Sequence, residues 1–448
     1  MAKRVAVIGG GWAGCAAAVR LAQAGQQVTL YEAARTLGGR ARRVELNGKT
    51  IDNGQHILLG AYRQTLELMR SIGIDERAHF LRLPLQMRYP AGSGMDFVAP
   101  RLPAPWHMLF ALWRARGLSR QDKLALARFS STARWMGWKL NTDCSVTELL
   151  ERFDQTPRLT ALMWRPLCIA ALNTPPERAS AQVFLNVLRD SLGAQRAASD
   201  MLIPRTDLST LFPQQAATYV LAHGGAVHLG AAIRTIRRGI SGAGNWCVEA
   251  DKIGPAGTFD AVIIATSADR ASRLLDGLPD SPDGALQMLR TQLNGFSYEP
   301  ITTCYLQYAP TVRLPMAFMA LQDDAASGNW GQFVFDRGQL DPAHAGLLAV
   351  VVSASQDAVA LGREALGGLI GTQLAHALKR PGLANPRWST VISEKRATFS
   401  CTPALERPLN TSHLPGLLLA GDYTASDYPA TLESATRSGM QAAQFLLA

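Results

Sequence analysis

A glycine-rich turn near the start of the chain places the strongest constraint on its fold. Four apolar residues, 5–8, lead directly into Gly9, Gly11 and Gly14, which have the spacing GxGxxG. The apolar run predicts a buried parallel strand, and the glycines predict a tight turn into a helix over residues 13–24. Gly9 permits the turn, Gly11 lets a phosphate approach the backbone, and Gly14 lets the helix pack on the strand. The pattern therefore predicts a dinucleotide pyrophosphate at the helix N-terminus.

An acidic residue at the end of the next apolar segment supports this interpretation. Residues 27–31 alternate as a strand and end at Glu32, about 20 residues beyond the glycine turn. A carboxylate at that position can accept hydrogen bonds from both hydroxyls of an adenosine ribose. A glycine turn followed by a solvated glutamate is the structural alternative.

A second glycine signature closes the chain. The apolar segment 417–420 leads into Gly421 and Asp422, and Thr431 and Leu432 then open a final helix rich in small residues. Asp422 can accept a hydrogen bond from a ribityl or pyrophosphate group, and small side chains would let the helix N-terminus approach a flavin. A simple turn before a C-terminal helix is the alternative. Together the two signatures predict FAD.

Other glycine-bearing segments between the two signatures also fit a cofactor site. Gly39 and Arg40 lie in a small-residue turn that can bring the arginine near a phosphate. Gly54 lies in a polar bend, residues 51–60, that could rest against a flavin ring. A strand around Val227 is assigned to the same cofactor-binding set.

Composition fits an enzyme of more than one domain. The chain has 448 residues, 47% of them hydrophobic, which is enough for a large core and for two domains. The six cysteines form no CxxC pair, which argues against a metal site or a disulfide framework and suits a reducing compartment. No apolar run approaches 18 residues, and the first residues pass directly into a core strand. We therefore expect neither a membrane-spanning helix nor a signal peptide.

The order of segments predicts a discontinuous α/β fold. Apolar strand patterns return near residues 224–236 and 259–266, so the chain is expected to leave the nucleotide-binding domain and re-enter it. We predict a Rossmann-like FAD-binding domain from residues 1–85, 205–294 and 389–448, with an interleaved α+β substrate or membrane-facing domain from residues 86–204 and 295–388.

The positive charge is concentrated beside tryptophans. Residues 101–139 contain eight basic residues against one acidic residue, together with four tryptophans. Basic and aromatic residues around a short apolar helix favour the surface of an anionic membrane. No nucleic-acid-binding module accompanies them, so we expect no nucleic acid partner. A core helix with a solvated basic face is the alternative.

The motifs together resemble a known group of flavoenzymes. Similarity to the flavin amine oxidase and carotenoid desaturase superfamily is carried by residues 9–14, Glu32, 38–40, 260–266, 421–422 and 428–429. Residues 52–62 resemble the squalene-associated branch, the hydroxysqualene dehydroxylases of bacterial hopanoid biosynthesis. The resemblance extends over nearly the whole chain. It implies an amine oxidase or phytoene desaturase type of fold, with FAD as cofactor and an apolar isoprenoid, hydroxysqualene, as substrate.

The implied reaction replaces an allylic hydroxyl by a hydride from reduced FAD. An acid that assists departure of water is then needed, and the candidates are His56, Asp52 and Tyr62. A His56 that only shapes the flavin pocket through a backbone hydrogen bond is an equal alternative. The chain has no second dinucleotide fingerprint, so the electron donor is unidentified.

Three other functions stay open at this point. An amine oxidase or a carotenoid or polyprenoid desaturase would use the same fold, and a lipid carrier of the GDP-dissociation-inhibitor type would use it without redox chemistry. The expected location is the cytoplasm, on the inner face of the cell membrane.

Overall fold

The computed structural model describes residues 2–92, 94–103, 106–239, 246–251, 254–280 and 284–448. The strands, in chain order, are β1 (Arg4–Ile8), β2 (Gln27–Glu32), β3 (Arg43–Leu46), β4 (Lys49–Asp52), β5 (Leu58–Leu59), β6 (Phe80–Leu83), β7 (Gln86–Arg88), β8 (Asp96–Val98), β9 (Met201–Pro204), β10 (Ala226–Leu229), β11 (Ile233–Arg238), β12 (Trp246–Ala250), β13 (Gly254–Phe259), β14 (Ala261–Ile264), β15 (Tyr298–Gln307), β16 (Phe318–Ala320), β17 (Phe333–Asp336), β18 (Leu347–Ser353), β19 (Trp388–Phe399) and β20 (Leu417–Leu419).

The α-helices are α1 (Trp12–Gln23), α2 (Arg63–Ser71), α3 (Glu76–His79), α4 (Trp106–Arg114), α5 (Arg120–Trp135), α6 (Val146–Arg152), α7 (Pro157–Leu159), α8 (Arg165–Leu172), α9 (Ala181–Ser191), α10 (Leu208–Leu211), α11 (Pro213–Ala222), α12 (Ala268–Leu275), α13 (Ala285–Asn294), α14 (Gln356–Ala360), α15 (Arg363–Ala377) and α16 (Leu432–Leu447). A π-helical turn, Thr160–Trp164, lies between α7 and α8. Within the described ranges, no helix is long and apolar enough to cross a membrane.

A five-stranded parallel sheet contains the strand that leads into the glycine turn. Its strand order is β10, β2, β1, β14 and β20, and neighbouring strands are paired in parallel throughout. The central strands β1 and β14 are almost wholly apolar and buried, as expected where helices cover both faces of a sheet. The sheet is assembled from widely separated segments, and the predicted α/β class is confirmed.

A second five-stranded sheet is antiparallel. Its order is β16, β17, β18, β15 and β19. Side chains alternate between its two faces. Phe333 and Phe335 face a large internal cavity, whereas Val334 packs in a separate core with Ile370 of α15. This sheet therefore forms one wall of the cavity.

Two strands pair with strands on the other side of a predicted domain limit. β19 pairs along β15, although residues from 389 onward were assigned to the FAD-binding domain. β9 pairs with β5 and β6, although residues up to 204 were assigned to the other domain. The limits themselves stay a prediction.

Candidate cofactor and substrate cavity

The glycine turn after β1 adopts the shape that a phosphate site needs. Gly9 has a φ of +111°, and a Cβ added there would lie 2.5 Å from the carbonyl oxygen of Ala265. A Cβ at Gly14 would lie 1.9 Å from the carbonyl oxygen of Gly9, so only glycine lets α1 approach the turn. At Gly11 the nearest atom to an added Cβ is the Cα of Gly39, at 3.9 Å. The space in front of Gly11 is therefore free of protein and belongs to the cavity.

The N-terminus of α1 is free to bind an anion. Gly11 is its N-cap residue and supplies no side-chain hydrogen bond, so the first backbone N–H groups lack the partner that a serine or aspartate would provide. These donors and the helix dipole together favour a phosphate at the turn. The residues present fit the pyrophosphate of FAD.

Glu32 lies at the end of β2, and its carboxylate is fixed by two backbone donors. Gly10 N–H donates to Oε2 at 2.6 Å, and Ala34 N–H donates to Oε1 at 2.7 Å. Each oxygen has a second lone pair, and the side chain lines the cavity. The carboxylate is therefore held ready to accept two further hydrogen bonds, as the ribose prediction requires.

The two glycine signatures meet in space. Arg40 donates from Nη2 to Oδ1 of Asp422 at 2.5 Å and from Nη1 to the carbonyl oxygen of Ala397 at 2.9 Å. The carboxylate of Asp422 and the nearby charge of Glu394 raise the pKa of Arg40 against the effect of its burial. The ion pair joins the beginning and the end of the chain at the cavity wall, beside Gly39 and Gly421.

The final helix enters the same wall at its N-terminus. Thr431 is the N-cap of α16, and its hydroxyl accepts the backbone N–H of Ser434 at 3.1 Å. Thr431 and Leu432 line the cavity. Farther along, a Cβ at Gly439 would lie 2.0 Å from the carbonyl oxygen of Ala13. Gly439 thus allows close packing of α16 on α1, rather than close approach of the helix to a flavin.

The polar bend after β4 presents His56 to the cavity. The Nδ1 atom of His56 lies 2.8 Å from the carbonyl oxygen of Gly54. Because a carbonyl can only accept, Nδ1 carries the proton, and Nε2 has a free lone pair in the neutral ring. Burial lowers the pKa of His56, although the Gly54 hydrogen bond opposes this shift. Near neutrality His56 is therefore an acceptor at Nε2.

Asp52 is the last residue of β4 and does not line the cavity. Its Oδ1 accepts the backbone N–H of Leu208 at 2.8 Å, and the hydroxyl of Tyr305 donates to its backbone oxygen at 2.7 Å. Burial raises the pKa of Asp52 to about 7, although the positive charge of Arg337 opposes this. Asp52 can hold a proton near neutrality but has no direct access to a molecule in the cavity.

Tyr62 lines the cavity beside the start of α16. Burial is the main cause that raises the pKa of Tyr62, and the carboxylate of Glu433 adds to the shift, whereas a hydrogen bond with the Thr431 side chain opposes it. The phenol therefore keeps its proton. Glu433 accepts hydrogen bonds from the backbone N–H groups of Gln64 and Thr65, at the N-terminus of α2.

The structure brings together most of the residues predicted from the sequence. The cavity has a volume of about 1090 Å³, at the upper end of ordinary ligand sites. Val227 does not line it, because it lies within β10 opposite Leu30 of β2. Gly14 does not line it either and serves the packing of α1. The predicted residues that do line it are Gly9, Gly11, Glu32, Gly39, Arg40, Gly54, His56, Tyr62, Gly421, Asp422, Thr431 and Leu432.

Sequence reasoning missed two sets of cavity residues. Ala231, Ala232 and Ile233 line the cavity directly after β10, where Val227 was expected to act. The second set is an apolar chamber that extends from the cofactor cradle. Its residues come from distant segments, so no local motif could reveal them: Leu85, Met87, Phe97, Met163, Leu167, Ile301, Phe318, Phe333, Phe335 and Val351.

Comparison with known proteins agrees with this geometry. The family model described as flavin containing amine oxidoreductase matches residues 12–447. Hydroxysqualene dehydroxylase of Rhodopseudomonas palustris is 31% identical over 100% of this chain and 99% of its own length. The enzyme of the same name from Zymomonas mobilis is 29% identical over 98% of each chain. Zeta-carotene desaturase of Synechocystis is 24% identical over 99% of this chain and 97% of its own length.

Solved structures show the same fold at low sequence identity. An oxidoreductase from Methanosarcina mazei superposes with a TM-score of 0.71 at 16% identity, covering 98% of this chain and all of that one. Cyclohexylamine oxidase from Brevibacterium oxydans gives a TM-score of 0.68 at 16% identity, covering 100% of this chain and 99% of that one. The resemblance inferred from the sequence is confirmed: this chain belongs to the flavin containing amine oxidoreductase family and is an FAD-dependent oxidoreductase.

Proposed function

We propose that this protein converts hydroxysqualene into squalene for hopanoid biosynthesis. The proposal depends mainly on one observation, the apolar chamber that continues from the cofactor cradle and is walled by aliphatic and aromatic side chains. Such a wall suits a long hydrocarbon better than a charged amine. Within the described ranges, no lysine lines the cavity. The names of the full-length relatives support the same substrate class.

The chemistry divides between the cofactor and the chain. Reduced FAD supplies a hydride when it is bound. The chamber would hold the two hydrocarbon arms of the substrate and exclude water, which protects the allylic cation left by the departing hydroxyl. Exclusion of water matters because a cation attacked by water would return to the alcohol.

We assign the handling of the substrate hydroxyl to His56. Its Nδ1–H is held by Gly54, so Nε2 is the atom that would meet the alcohol. The ring would take up a proton from solvent at Nε2 and donate it to the departing hydroxyl, which leaves as water. Tyr62 keeps its proton and forms a hydrogen bond with the Thr431 side chain at the start of α16. Asp52 is buried, accepts the backbone N–H of Leu208 and would not contact substrate, because it does not line the cavity.

Product analysis tests the proposed reaction. Chemically reduced protein incubated without oxygen should convert hydroxysqualene to squalene, detected by gas chromatography and mass spectrometry. Oxidised protein should leave squalene, phytoene and a panel of amines unchanged. Desaturated products from phytoene would favour a carotenoid desaturase, and loss of amine would favour an amine oxidase. A purified protein without flavin absorbance would favour a non-redox lipid carrier.

We also propose that α4 and α5 bind an anionic membrane on the inner face of the cell membrane. α4 buries only His107 and Ala111, which supports this proposal over a core helix with a solvated basic face. α5 buries one apolar face, which includes Leu126 and Phe129. Trp113 is 73% exposed and Trp135 of α5 is 86% exposed, which is rare for residues of this size on a solvated surface. We use the name apolar surface for the exposed large apolar side chains of α4 and α5: Trp106, Leu109, Phe110, Trp113, Leu124 and Trp135.

The apolar surface lies close to the chamber. β8 packs against α4, and Phe97 of β8 lines the cavity. A hydrocarbon that leaves the membrane at α4 would therefore reach the chamber over a short apolar route. This arrangement supports delivery of a substrate that is itself dissolved in the membrane.

Vesicle binding tests the membrane proposal. Arg114, Arg116 and Arg120 are exposed beside the apolar surface. Reversing all three to glutamate should remove about 1 kcal/mol of attraction per residue. The affinity for anionic vesicles, measured by sedimentation, should then fall by at least about 100-fold. The flavin spectrum should not change.

A matched triple variant controls for net charge. Arg313, Arg363 and Arg387 are exposed and lie outside this surface, so their reversal to glutamate makes the same change in total charge. This control should bind vesicles nearly as the unmodified protein does. Equal loss of binding in both triple variants would contradict a specific membrane surface.

A further inference from the structure

A fully buried arginine lies behind the bend that carries His56. Arg337 directly follows β17 and is only 2% exposed. Its Nη1 donates to Oε1 of Gln55 at 2.9 Å, and its Nε has no hydrogen-bond partner. Among the described residues, no carboxylate lies within ion-pair distance of its guanidinium. A buried arginine without such a partner is costly and uncommon.

The charge of Arg337 acts on several neighbouring groups. It opposes the burial that raises the pKa of Asp52, and it adds to the burial that lowers the pKa of His344. Because the pKa of Asp52 is about 7, that carboxyl is only partly ionised near neutrality. Near neutrality Asp52 therefore compensates the positive charge of Arg337 only in part.

Gln55 connects Arg337 to the cavity wall. It lines the cavity between Gly54 and His56, and its Nε2 donates to the backbone oxygen of His56 at 3.3 Å. The amide of Gln55 is thus held between Arg337 and the bend. The contact ties the antiparallel sheet to the segment that was expected to face the flavin.

We propose that Arg337 is a positioning residue that makes the bound flavin easier to reduce. Reduction by two electrons with uptake of one proton leaves one negative charge on the flavin ring. A buried cation behind the wall stabilises that charge relative to the neutral oxidised ring, because electrostatic interactions are strong where water is excluded. The inference depends on FAD binding and not on which substrate the enzyme uses.

The midpoint potential of the bound flavin tests this role. Electrons would come from xanthine and xanthine oxidase, with a redox dye as reference. Arg337→Gln should lower the potential by about 30 mV or more, which is a tenfold loss in the preference for reduced flavin. Arg337→Lys, which keeps the charge, should shift it much less. Arg363→Gln removes an exposed arginine and should leave it unchanged.

A second variant keeps the test decisive if Arg337→Gln does not fold. Asp52→Asn keeps an acceptor for Leu208 N–H but removes a buried carboxyl on which the charge of Arg337 acts. It should raise the flavin potential at pH 8, where Asp52 is ionised, and change it little at pH 6. The other titratable or charged groups around this pair are Asp336, Asp207, Tyr305, His344, Asp341 and Lys49.

Two results would overturn the inference. One is an unchanged potential in folded Arg337→Gln protein that binds FAD fully. The other is an Asp52→Asn potential that is equal to the unmodified value at pH 8. Neither result depends on hydroxysqualene, so a failed substrate assay and a failed potential measurement are distinguishable.

Discussion

Removal of the Glu32 carboxylate should weaken FAD binding without abolishing the fold. The carboxylate is free to accept two hydrogen bonds in addition to those from Gly10 and Ala34. A hydrogen bond to a charged group contributes about 1.5–3 kcal/mol, so two bonds to a ribose contribute about 3–6 kcal/mol. Since about 1.4 kcal/mol is a tenfold change, Glu32→Ala should raise the Kd for FAD by about 10²-fold to 10⁴-fold.

This Kd can be measured directly by titrating the apoprotein with FAD and recording the quenching of flavin fluorescence. Glu67→Ala is the control, because Glu67 is exposed on α2 and does not line the cavity. Its Kd should equal that of the unmodified protein. A Glu32→Ala Kd within about threefold of the unmodified value would refute the contact with the ribose, because two charged hydrogen bonds cannot be lost at so small a cost.

Other variants test the cradle, the bend and the buried carboxyl separately. Gly11→Ala should leave the thermal midpoint of the apoprotein unchanged but weaken FAD binding, whereas Gly14→Ala should lower the midpoint, because its Cβ would meet the Gly9 oxygen at 1.9 Å. His56→Asn keeps a hydrogen-bond donor for the Gly54 carbonyl but loses Nε2. If the ring acts on substrate, this variant should turn over about 10²-fold more slowly or worse. Turnover at the unmodified rate would show that His56 has only a structural role. Burial raises the pKa of Asp52 in the folded protein to about 7, above its unfolded value, so ionisation of this carboxyl lowers the free energy of unfolding. The loss is absent below about pH 4, grows as the pH rises and is complete once the pH has passed through 7. Asp52→Asn should therefore be more stable than the unmodified protein at pH 8, by up to about 4 kcal/mol in urea unfolding, and this gain should vanish at low pH.

The cofactor cradle could be predicted from the sequence because short-range geometry determines it. The positions of Gly9, Gly11 and Gly14 are set by the steric needs of one tight turn, and Glu32 follows at the end of the neighbouring strand. The same reasoning located Gly421 and Asp422. In each case a short sequence motif is enough to predict the local structure.

Features that depend on distant contacts could not be predicted in this way. The apolar chamber is built from segments that look like ordinary core, and nothing local distinguishes Phe333 from Val334 on opposite faces of β17. Arginine is usually a surface residue, so the sequence gives no sign that Arg337 is buried. It directly follows β17 of the antiparallel sheet and contacts Gln55 of the bend. Val227 was assigned to the site, but residues 231–233 follow β10 into the cavity, because the strand continues two residues past it.

Anaerobic reoxidation of the reduced flavin tests the proposed function most directly. Protein reduced with one equivalent of dithionite would be mixed with hydroxysqualene in a stopped-flow instrument, and oxidised flavin absorbance and squalene would both be measured. We predict that the flavin is reoxidised and that one squalene forms for each flavin, since dehydroxylation consumes one hydride. Squalene or phytoene added instead should leave the flavin reduced. Reduced flavin that does not respond to hydroxysqualene, in protein that binds FAD fully, would contradict the dehydroxylase function.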